Sequence, residues 1–249
     1  MAQSGPGKVR GFDDFTGGVE APVAETTAPP RAVGNGTFFL VGQGLADTDS
    51  GAVLQNQLSG VIALTATNEA EHALGLTTPV MFDVGLMGHL VAECRVQFDN
   101  LDTKEFFFGF SDVQTDLAIL EGAIAHGTGT TFTLTASDIC GIWLSSELTE
   151  DEMYHSVYNG GSTTGAVLST TNELDVDAVA AEWDVLRVEI DPNGDARFYV
   201  NGDLRQSVAG AVSATVDLAL SLIVEEKVTG NATVWVDYVK FETNRDWTR

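Results

Sequence analysis

From Thr37 onward, apolar residues either alternate with polar ones or form short runs that end at glycine, asparagine, aspartate or proline. A period of two indicates a β-strand, because successive side chains of a strand point to opposite faces. The pattern predicts strands over residues 37–42, 61–67, 72–76, 89–98, 106–110, 139–144, 153–158, 185–191, 196–201, 204–208, 218–224 and 233–241. Many short strands with turn signals between them predict an all-β sandwich or barrel.

The segment His89–Phe98 shows the alternation most clearly. Its apolar side consists of Leu90, Ala92, Cys94, Val96 and Phe98, and its other side consists of Val91, Glu93, Arg95 and Gln97. One apolar and one polar side predict an antiparallel strand that is buried on one face and solvated on the other. Because Cys94 belongs to the apolar side, we expect it to be a packed thiol without a reactive role.

Two hairpins can be predicted from their turn residues. Asn193-Gly194 separates the alternating segments Val185–Asp191 and Ala196–Val200, and Asn201-Gly202 precedes Leu204–Val208. An Asn-Gly pair between alternating segments is the strongest short-range signal for a hairpin. The three segments therefore predict a three-stranded meander whose register is fixed by its turns.

The first 36 residues have a different character. They contain four of the six prolines, namely Pro6, Pro22, Pro29 and Pro30, and they show almost no hydrophobic periodicity. Such a composition is typical of an extended segment. We therefore expect an extended N-terminal arm over residues 1–36 and one sandwich domain, with a C-terminal tail, over residues 37–249. Phe12 and Phe15 could dock the arm onto a sheet or onto a neighbouring molecule.

Charge and length exclude several classes of protein. The chain has 249 residues, a net charge of −24 and a sequence pI of about 4.1. A chain this acidic repels phosphates, so we expect no nucleic-acid partner. No apolar run is long enough to cross a membrane, and the basic N-terminus lacks the apolar stretch of a secretory signal. We therefore expect a protein that folds in a cytoplasm and does not contact a membrane.

The charge is unevenly distributed along the chain. Residues 1–31 and 240–249 each hold three basic residues, whereas the 208 residues between them hold six basic and 30 acidic ones. Two interpretations remain open. A negative body can serve solubility alone. Alternatively, the two ends can attach the protein to something acidic while the body faces solvent.

Three segments resemble a known family. They are Trp183 with the following Leu186–Asp191, then Phe198-Tyr-Val-Asn-Gly202, then Val234–Phe241 with its Asp-Tyr-Val. Together they resemble the concanavalin A-like (laminin G-type) jelly roll. The segments Gly11–Thr16, Phe107–Asp112 and Asp237–Val239 are similar to jelly-roll proteins of tailed-phage virions, and the resemblance covers most of residues 36–243.

This resemblance implies an antiparallel two-sheet jelly-roll sandwich that serves as a capsid decoration or head-fibre module. We therefore expect a non-enzymatic virion protein that folds in the host cytoplasm and lies on the capsid surface. Its partners would be the major capsid protein or other virion proteins, and we expect a homo-oligomer. The residues expected to bind the partner are Lys8, Arg10, Phe12, Phe15, Arg245, Trp247 and Arg249.

Catalytic chemistry has little support in the sequence. The glucanase relatives of this fold use a Glu-x-Asp-x-x-Glu strand, and the nearest match runs from Glu182 through Asp184 to Arg187. An arginine in the last position cannot act as a general acid or base. The four histidines show no zinc spacing, and no serine-nucleophile motif is present. We expect no catalytic residue and no metal residue.

Calcium is the one cofactor with a local pattern. Asp191, Asn193 and Asp195 place oxygen ligands at alternate residues, and Asp47, Asp49 and Ser50 form a second acidic loop. A calcium loop also needs further ligands and a distal glutamate. Because Asn193-Gly194 already explains the first loop as a turn, we predict no resident cofactor and leave calcium as an alternative.

A lectin-like glycan- or receptor-binding module is the alternative function. Trp143, Trp183 and Trp235 lie inside predicted strands, where we expect them to be wholly or partly buried. The expected sugar contacts are therefore Tyr154 and Tyr158, which lie in the acidic segment around residues 147–158.

Overall fold

The computed structural model describes residues 7–16, 31–33, 37–42, 51–55, 57, 59–67, 72–113, 120, 122–167, 171–228 and 230–246. Within these ranges the chain forms 19 β-strands and a helix, α1, of four residues, Val84–Met87. The all-β prediction is confirmed. No described helix has the length and apolarity that a membrane-spanning segment needs.

The strands divide into two antiparallel sheets and a separate hairpin. The first sheet contains β1 (Lys8–Asp13), β4 (Gly51–Leu54), β5 (Ile62–Thr67), β8 (Leu90–Phe98), β15 (Trp183–Ile190), β16 (Ala196–Val200), β17 (Asp203–Val208) and β19 (Asn231–Asn244). Its order is β17-β16-β15-β8-β19-β5-β4. Strand β1 pairs with the C-terminal part of β19, from Lys8 opposite Asn244 to Asp13 opposite Val239.

The second sheet contains β2 (Arg31–Val33), β3 (Phe38–Val41), β6 (His72–Thr77), β7 (Phe82–Asp83), β9 (Lys104–Ser111), β12 (Ile139–Ser145), β13 (Met153–Asn159), β14 (Glu173–Asp177) and β18 (Asp217–Glu226). Its order is β14-β13-β12-β9-β18-β6-β3-β2, and β7 pairs with β18. The remaining strands, β10 (Ala125–Thr128) and β11 (Thr131–Leu134), form the hairpin.

The two sheets enclose the main core. The apolar side of β8 predicted from the sequence, which contains Cys94, faces this core and is at most 1% exposed. Burial raises the pKa of the Cys94 thiol, as expected for a packed group. Phe82 packs edge-on against Phe110 of the second sheet and Phe241 of the first, at ring-centroid distances of 5.4 and 5.0 Å. Aromatic contacts therefore join the two sheets across the sandwich.

The twelve strands predicted from periodicity are all present, with ends shifted by a few residues. The meander is confirmed as β15-β16-β17, which pair in sequence order. Asn201 and Gly202 both have positive φ, 53° and 86°, as a tight hairpin turn between twisted strands requires.

Two segments of the predicted N-terminal arm are strands of the sandwich. Lys8–Asp13 forms β1 of the first sheet, and Arg31–Val33 forms β2 of the second. The expectation that the sandwich begins at residue 37 is corrected accordingly. Gly11 permits the close approach of β1, because a Cβ there would lie 2.3 Å from the Phe241 ring.

Candidate functional site

The outward side of the first sheet carries an unusual set of side chains, which we call the open face. It is defined by the basic residues Lys8, Arg10, Arg95, Arg187, Arg197 and Lys240 and by the aromatic residues Phe12, Trp183, Tyr199, Trp235 and Tyr238. These six basic residues are half of the 12 in the chain. Because side chains alternate along each strand, all eleven lie opposite the core-facing residues of their strands.

The register aligns these side chains into rows across the sheet. In one row, Phe12 lies opposite Lys240, Lys240 opposite Glu93, Glu93 opposite Arg187 and Arg187 opposite Tyr199. The row therefore runs aromatic, basic, acidic, basic, aromatic across five strands. Directly opposed side chains of unlike charge stabilise a sheet, so the row is a favourable local arrangement.

Three acidic groups of the open face, Glu93, Asp237 and Glu189, lie deeper than their basic partners. Lys240 contacts Glu93 at 2.6 Å, and the exposed fractions of the two side chains are 42% and 13%. Arg95 contacts Asp237 at 2.7 Å, with fractions of 38% and 15%. Arg187 and Arg197 both pair with Glu189, which is 8% exposed. The carboxylates thus lie beneath the cations and pair with them. The face therefore presents nitrogen donors to a partner.

Aromatic rings occupy the spaces between the cations. The Arg95 guanidinium lies 4.6 Å from the centroid of the Trp183 ring, and Arg187 lies 5.5 Å from that of Tyr199. Both distances are within the range of cation–π attraction. Phe12 is 41% exposed, and its ring centroid is 6.0 Å from that of Tyr238.

Ion pairing, hydrogen bonding and burial set the protonation of two groups on this face, Glu242 and Tyr238. The Arg10 guanidinium, helped by Lys8, lowers the pKa of Glu242, which accepts from Arg10 Nε at 2.7 Å. Burial raises the pKa of Tyr238, and its hydroxyl donates to Glu93 at 2.8 Å. Glu242 therefore stays ionised beside its cations, and Tyr238 stays protonated.

A cavity of about 380 Å³ opens on this face where β1, β8, β15 and β19 meet. It is lined by Arg10, Gly11, Phe12, His89, Val91, Arg187, Lys240, Phe241 and Glu242. Its volume lies within the range of small-molecule sites. Arg187 Nε is buried and has no hydrogen-bond partner among the described residues.

The structure brings together four of the seven predicted partner-binding residues. Lys8, Arg10 and Phe12 lie on the outward side of β1, and the Arg245 backbone N–H donates to the Gly7 carbonyl beside them at 3.0 Å. Trp247 and Arg249 lie outside the described residues. Phe15 is corrected: it is 0% exposed and belongs to the core of this chain, so its ring cannot anchor a partner.

The predicted sugar contacts are also corrected. Tyr154 is 0% exposed and donates a hydrogen bond to Asp184 at 2.9 Å across the sandwich. Tyr158 is 5% exposed and packs in the main core. Both alternate with outward residues along β13, and their side of the strand faces inward. Neither ring can serve as a platform for a sugar.

Sequence reasoning missed the aromatic residues of the open face other than Phe12. Trp183 and Trp235 are partly buried, which is one of the two expected outcomes, but their rings lie on the outward side of the sheet. Their register explains this, because both lie opposite Gln97 on the polar side of β8. The alternation along β15 already indicates an outward Trp183, because it occupies an odd-numbered position whereas the buried Leu186 and Val188 occupy even-numbered positions.

The outward side of the second sheet is covered. A second apolar cluster forms between this side and the hairpin β10–β11, and it includes Phe107, Phe132, Trp143, Val157 and Ile223, all at most 2% exposed. Trp143 contacts Phe107 and Phe132, each at a ring-centroid distance of 5.6 Å. Because β10 and β11 lie outside both main sheets, the hairpin covers this face as a separate element.

Charged groups are buried beneath the same hairpin. Glu105, which is 0% exposed, accepts hydrogen bonds from Trp143 Nε1 at 2.8 Å and from the Gly127 backbone at 2.9 Å. Lys227 Nζ lies 3.2 Å from a Glu225 oxygen, 3.5 Å from Glu147 and 3.6 Å from Glu105. We define the buried cluster as Glu105, Glu225 and Lys227. It contacts the hairpin through the hydrogen bond from Gly127 of β10 to Glu105.

The metal and catalytic candidates have other roles. Asp191 pairs with Arg197 and lies 3.0 Å from His89, while Asp195 accepts from the Gly210 backbone, so this loop is built as a turn. Asp47, Asp49 and Ser50 lie outside the described residues. No group of three or more His, Cys, Asp or Glu side chains within the described ranges is arranged to hold a metal ion.

The nearest glucanase-like segment contains no pair of facing carboxylates. Glu182 is exposed beside the start of β15, whereas Asp184 is buried and accepts from Tyr154 and from Asn201 at 2.8 Å. Arg187 lies on the open face. The two carboxylates are therefore in different environments, and Asp184 connects the sheets.

No protein-family model and no curated protein sequence matches the chain significantly. Solved structures do resemble it. A protein of unknown function, SO2946 from Shewanella oneidensis MR-1, is similar with a TM-score of 0.55 and 12% identity over 100% of this chain and 92% of that chain. The carbohydrate recognition domain of Emp46p in its potassium-bound form gives a TM-score of 0.54 and 10% identity over 82% and 88%.

A β-glucanase from Bacillus licheniformis is similar with a TM-score of 0.53 and 13% identity, over 96% of this chain and 99% of that chain. These identities are low, so the likenesses concern the arrangement of strands alone. The chain has the jelly-roll β-sandwich fold that is shared by lectin-type carbohydrate recognition domains and the β-glucanase.

Proposed function

We propose that the protein is a non-enzymatic structural protein of a phage virion, and that its open face attaches it to an acidic surface of the major capsid protein or of another virion protein. The virion setting is supported by the resemblance of Gly11–Thr16 and Phe107–Asp112 to tailed-phage jelly rolls. The attachment is supported by one structural observation: the open face displays cations and aromatic rings above half-buried carboxylates.

The composition of this face suits a protein interface. Tryptophan, tyrosine and arginine are the residues that most often carry binding energy at interfaces, and all three are concentrated here. Their arrangement also agrees with the charge of the chain. A body with a net charge of −24 repels an acidic partner, so a local layer of cations is the part through which it can approach one.

The hydrophobic part of the contact should exceed the ionic part. Exposed ion pairs contribute about 0–1 kcal/mol each and are screened over roughly 8 Å at physiological salt. A fully buried Phe side chain contributes about 1.5–3 kcal/mol, and salt does not screen that contribution. Phe12, exposed on the rim of the cavity, is therefore the expected anchor, and Lys8 and Arg10 orient the approach.

The test is a co-sedimentation assay of the full chain with phage heads. Phe12→Ala should release the protein, whereas about 1 M salt should only weaken its hold, because the screening length then falls to about 3 Å. The control is Val167→Ala, which is also an exposed apolar residue and lies outside the open face. Release by salt together with full binding of Phe12→Ala would reverse the proposed order of the two contributions. Failure of the wild-type chain to sediment would overturn the proposal.

A lectin-like glycan- or receptor-binding module is the second candidate. The partly exposed rings of Trp183, Tyr199 and Trp235 favour it, because planar rings beside polar groups suit a sugar. Binding on a glycan array in millimolar calcium, without sedimentation by phage heads, would select this candidate instead.

A further inference from the structure

The charge of the cavity lining on the open face is opposite in sign to the net charge of the chain. Acidic residues outnumber lysine and arginine by 36 to 12 in the sequence, whereas the lining holds Arg10, Arg187, Lys240 and one acidic residue, Glu242, together with His89. Lys240 pairs with Glu93, which lies deeper at 13% exposure, whereas Arg10 pairs with Glu242 within the lining itself. The lining therefore favours a ligand that carries a negative group.

The size of the cavity argues for a small molecule. Its volume of about 380 Å³ is in the range of ligand sites, which begins at roughly 300 Å³. A socket for one acidic side chain of a protein partner would not need this space. The ligand is therefore expected to fill the cavity with a ring-sized body in addition to its negative group.

Three parts of the lining indicate the chemistry of the ring that would fill the cavity. Phe12 offers an exposed ring face and Val91 an apolar surface, which suit the apolar side of a saturated ring. Glu242, ionised beside Arg10, accepts hydrogen bonds and so favours hydroxyl donors. Arg187 is 38% exposed and contributes a guanidinium, whose N–H groups can donate to an acceptor on the ligand.

We propose that this cavity binds an acidic saccharide, a hydroxylated ring bearing one carboxylate. The carboxylate pairs with the basic groups of the lining, the hydroxyls donate to Glu242, and the ring lies against Phe12. A nucleotide is the competing small anion, because the same three cations attract phosphate, and the titration below separates the two. The inference concerns the same face as the proposed attachment but does not depend on a virion partner.

The test is isothermal titration calorimetry of the full chain with D-glucuronate, and with D-glucose as the matched neutral sugar. Glucuronate should bind, and glucose should bind at least tenfold more weakly, because it lacks the carboxylate. Acetate and adenosine monophosphate separate the remaining sources of negative charge. Binding of acetate as tight as that of glucuronate would reduce the site to an anion site, and tighter binding of the nucleotide would overturn the saccharide assignment.

Substitutions in the lining test whether glucuronate binds in this cavity. Arg187→Gln and Arg10→Gln should each weaken glucuronate binding about tenfold, since each removes a charge-assisted hydrogen bond. The matched control is Arg205→Gln, which removes another ion-paired arginine outside the cavity and should leave binding unchanged. Thermal unfolding of each variant shows that it is folded. Unchanged binding in both cavity variants would overturn the proposal.

The two proposals on this face fail separately. Sedimentation with phage heads in the absence of glucuronate binding would overturn only the saccharide site. Glucuronate binding in a chain that does not sediment would overturn only the attachment.

Discussion

The outward faces of the two sheets differ, although both belong to one sandwich. The open face of the first sheet presents cations and rings to solvent above half-buried acids. The corresponding face of the second sheet is covered by the hairpin β10–β11, which buries Trp143, Phe107 and the charged group Glu105. Aromatic and ionic residues occur on both faces, so residue type alone does not distinguish a binding surface from a core.

The two faces differ in how far their ion pairs are removed from water. On the open face each ion pair keeps an exposed member, so water screens it and the pair contributes little to stability. Under the hairpin, the side chains of Glu105, Glu225 and Lys227 are at most 2% exposed, so the loss of one charge leaves the remaining buried charges less well compensated and unable to regain water. The covered face should therefore control stability and the open face should control binding.

The largest expected effect comes from paired tryptophan substitutions. Trp143→Ala should lower the free energy of unfolding by about 3–5 kcal/mol, because it leaves a cavity in a closed cluster. Trp235→Ala, on the open face, should cost about 1 kcal/mol, since part of its ring is already in water. Urea denaturation of both variants measures the difference. Equal losses would show that the two faces are equally buried in solution.

Paired lysine substitutions compare the two faces by charge. Lys227→Met should cost about 3 kcal/mol, because Glu105 and Glu225 lose their cation in a dry environment. Lys240→Met should change the free energy of unfolding by less than about 1 kcal/mol, because Glu93 still has Arg187 at 3.8 Å and the site is wet. Urea denaturation gives both values. A smaller loss for Lys227→Met than for Lys240→Met would contradict the comparison.

The covered face should also make stability depend on pH. Burial lowers the pKa of His155 to about 4, and this histidine is 1% exposed beside Phe132. The unfolded chain takes up a proton near pH 6.5 but the folded chain does not, so unfolding is favoured as the pH falls from about 6.5 to 4. The stability lost over this interval is about 3 kcal/mol.

His155→Phe tests that assignment. The variant should lose less stability than the wild type between pH 7 and pH 5, as measured by urea denaturation at each pH. Identical pH dependence in the two chains would show that other groups are responsible.

An effect as small as that of the other open-face substitutions is expected from the removal of one oxygen atom. Tyr238→Phe removes the hydroxyl that donates to Glu93, but Glu93 retains Lys240 at 2.6 Å. The free energy of unfolding should therefore fall by about 1 kcal/mol, near the average for one hydrogen bond. Thermal unfolding measures the change, and a loss above about 3 kcal/mol would mean that Glu93 is part of the core.

Local periodicity predicted most of the fold but missed particular elements. Strand β1 has a central glycine and only Val9 and Phe12 as apolar residues, and its partner β19 lies at the other end of the chain. Its pairing is non-local, so no local pattern could reveal it. The hairpin β10–β11 was missed for a related reason, because its apolar residues pack on a neighbouring sheet and do not form a long alternating run.

The candidate site was predicted only in part. The sequence indicates Lys8, Arg10 and Phe12 because they are basic or aromatic residues near one terminus, and they do lie on the open face. The same reasoning indicates Phe15, yet Phe15 turns into the core with a φ of 52°. No local pattern indicates Arg95, Arg187 and Lys240, because they become neighbours only when β8, β15 and β19 pair.

The sequence by itself determined which side is polar in the alternating strands, such as β8 and β15, because alternation and strand geometry have the same period. It also determined the Asn-Gly turns of the meander, since few residues accept a positive φ. Only the tertiary structure decided which polar sides lie next to one another and which of the two outer faces is covered. Those outcomes depend on pairings such as Phe12 with Lys240, which join residues far apart in the chain and leave no local pattern.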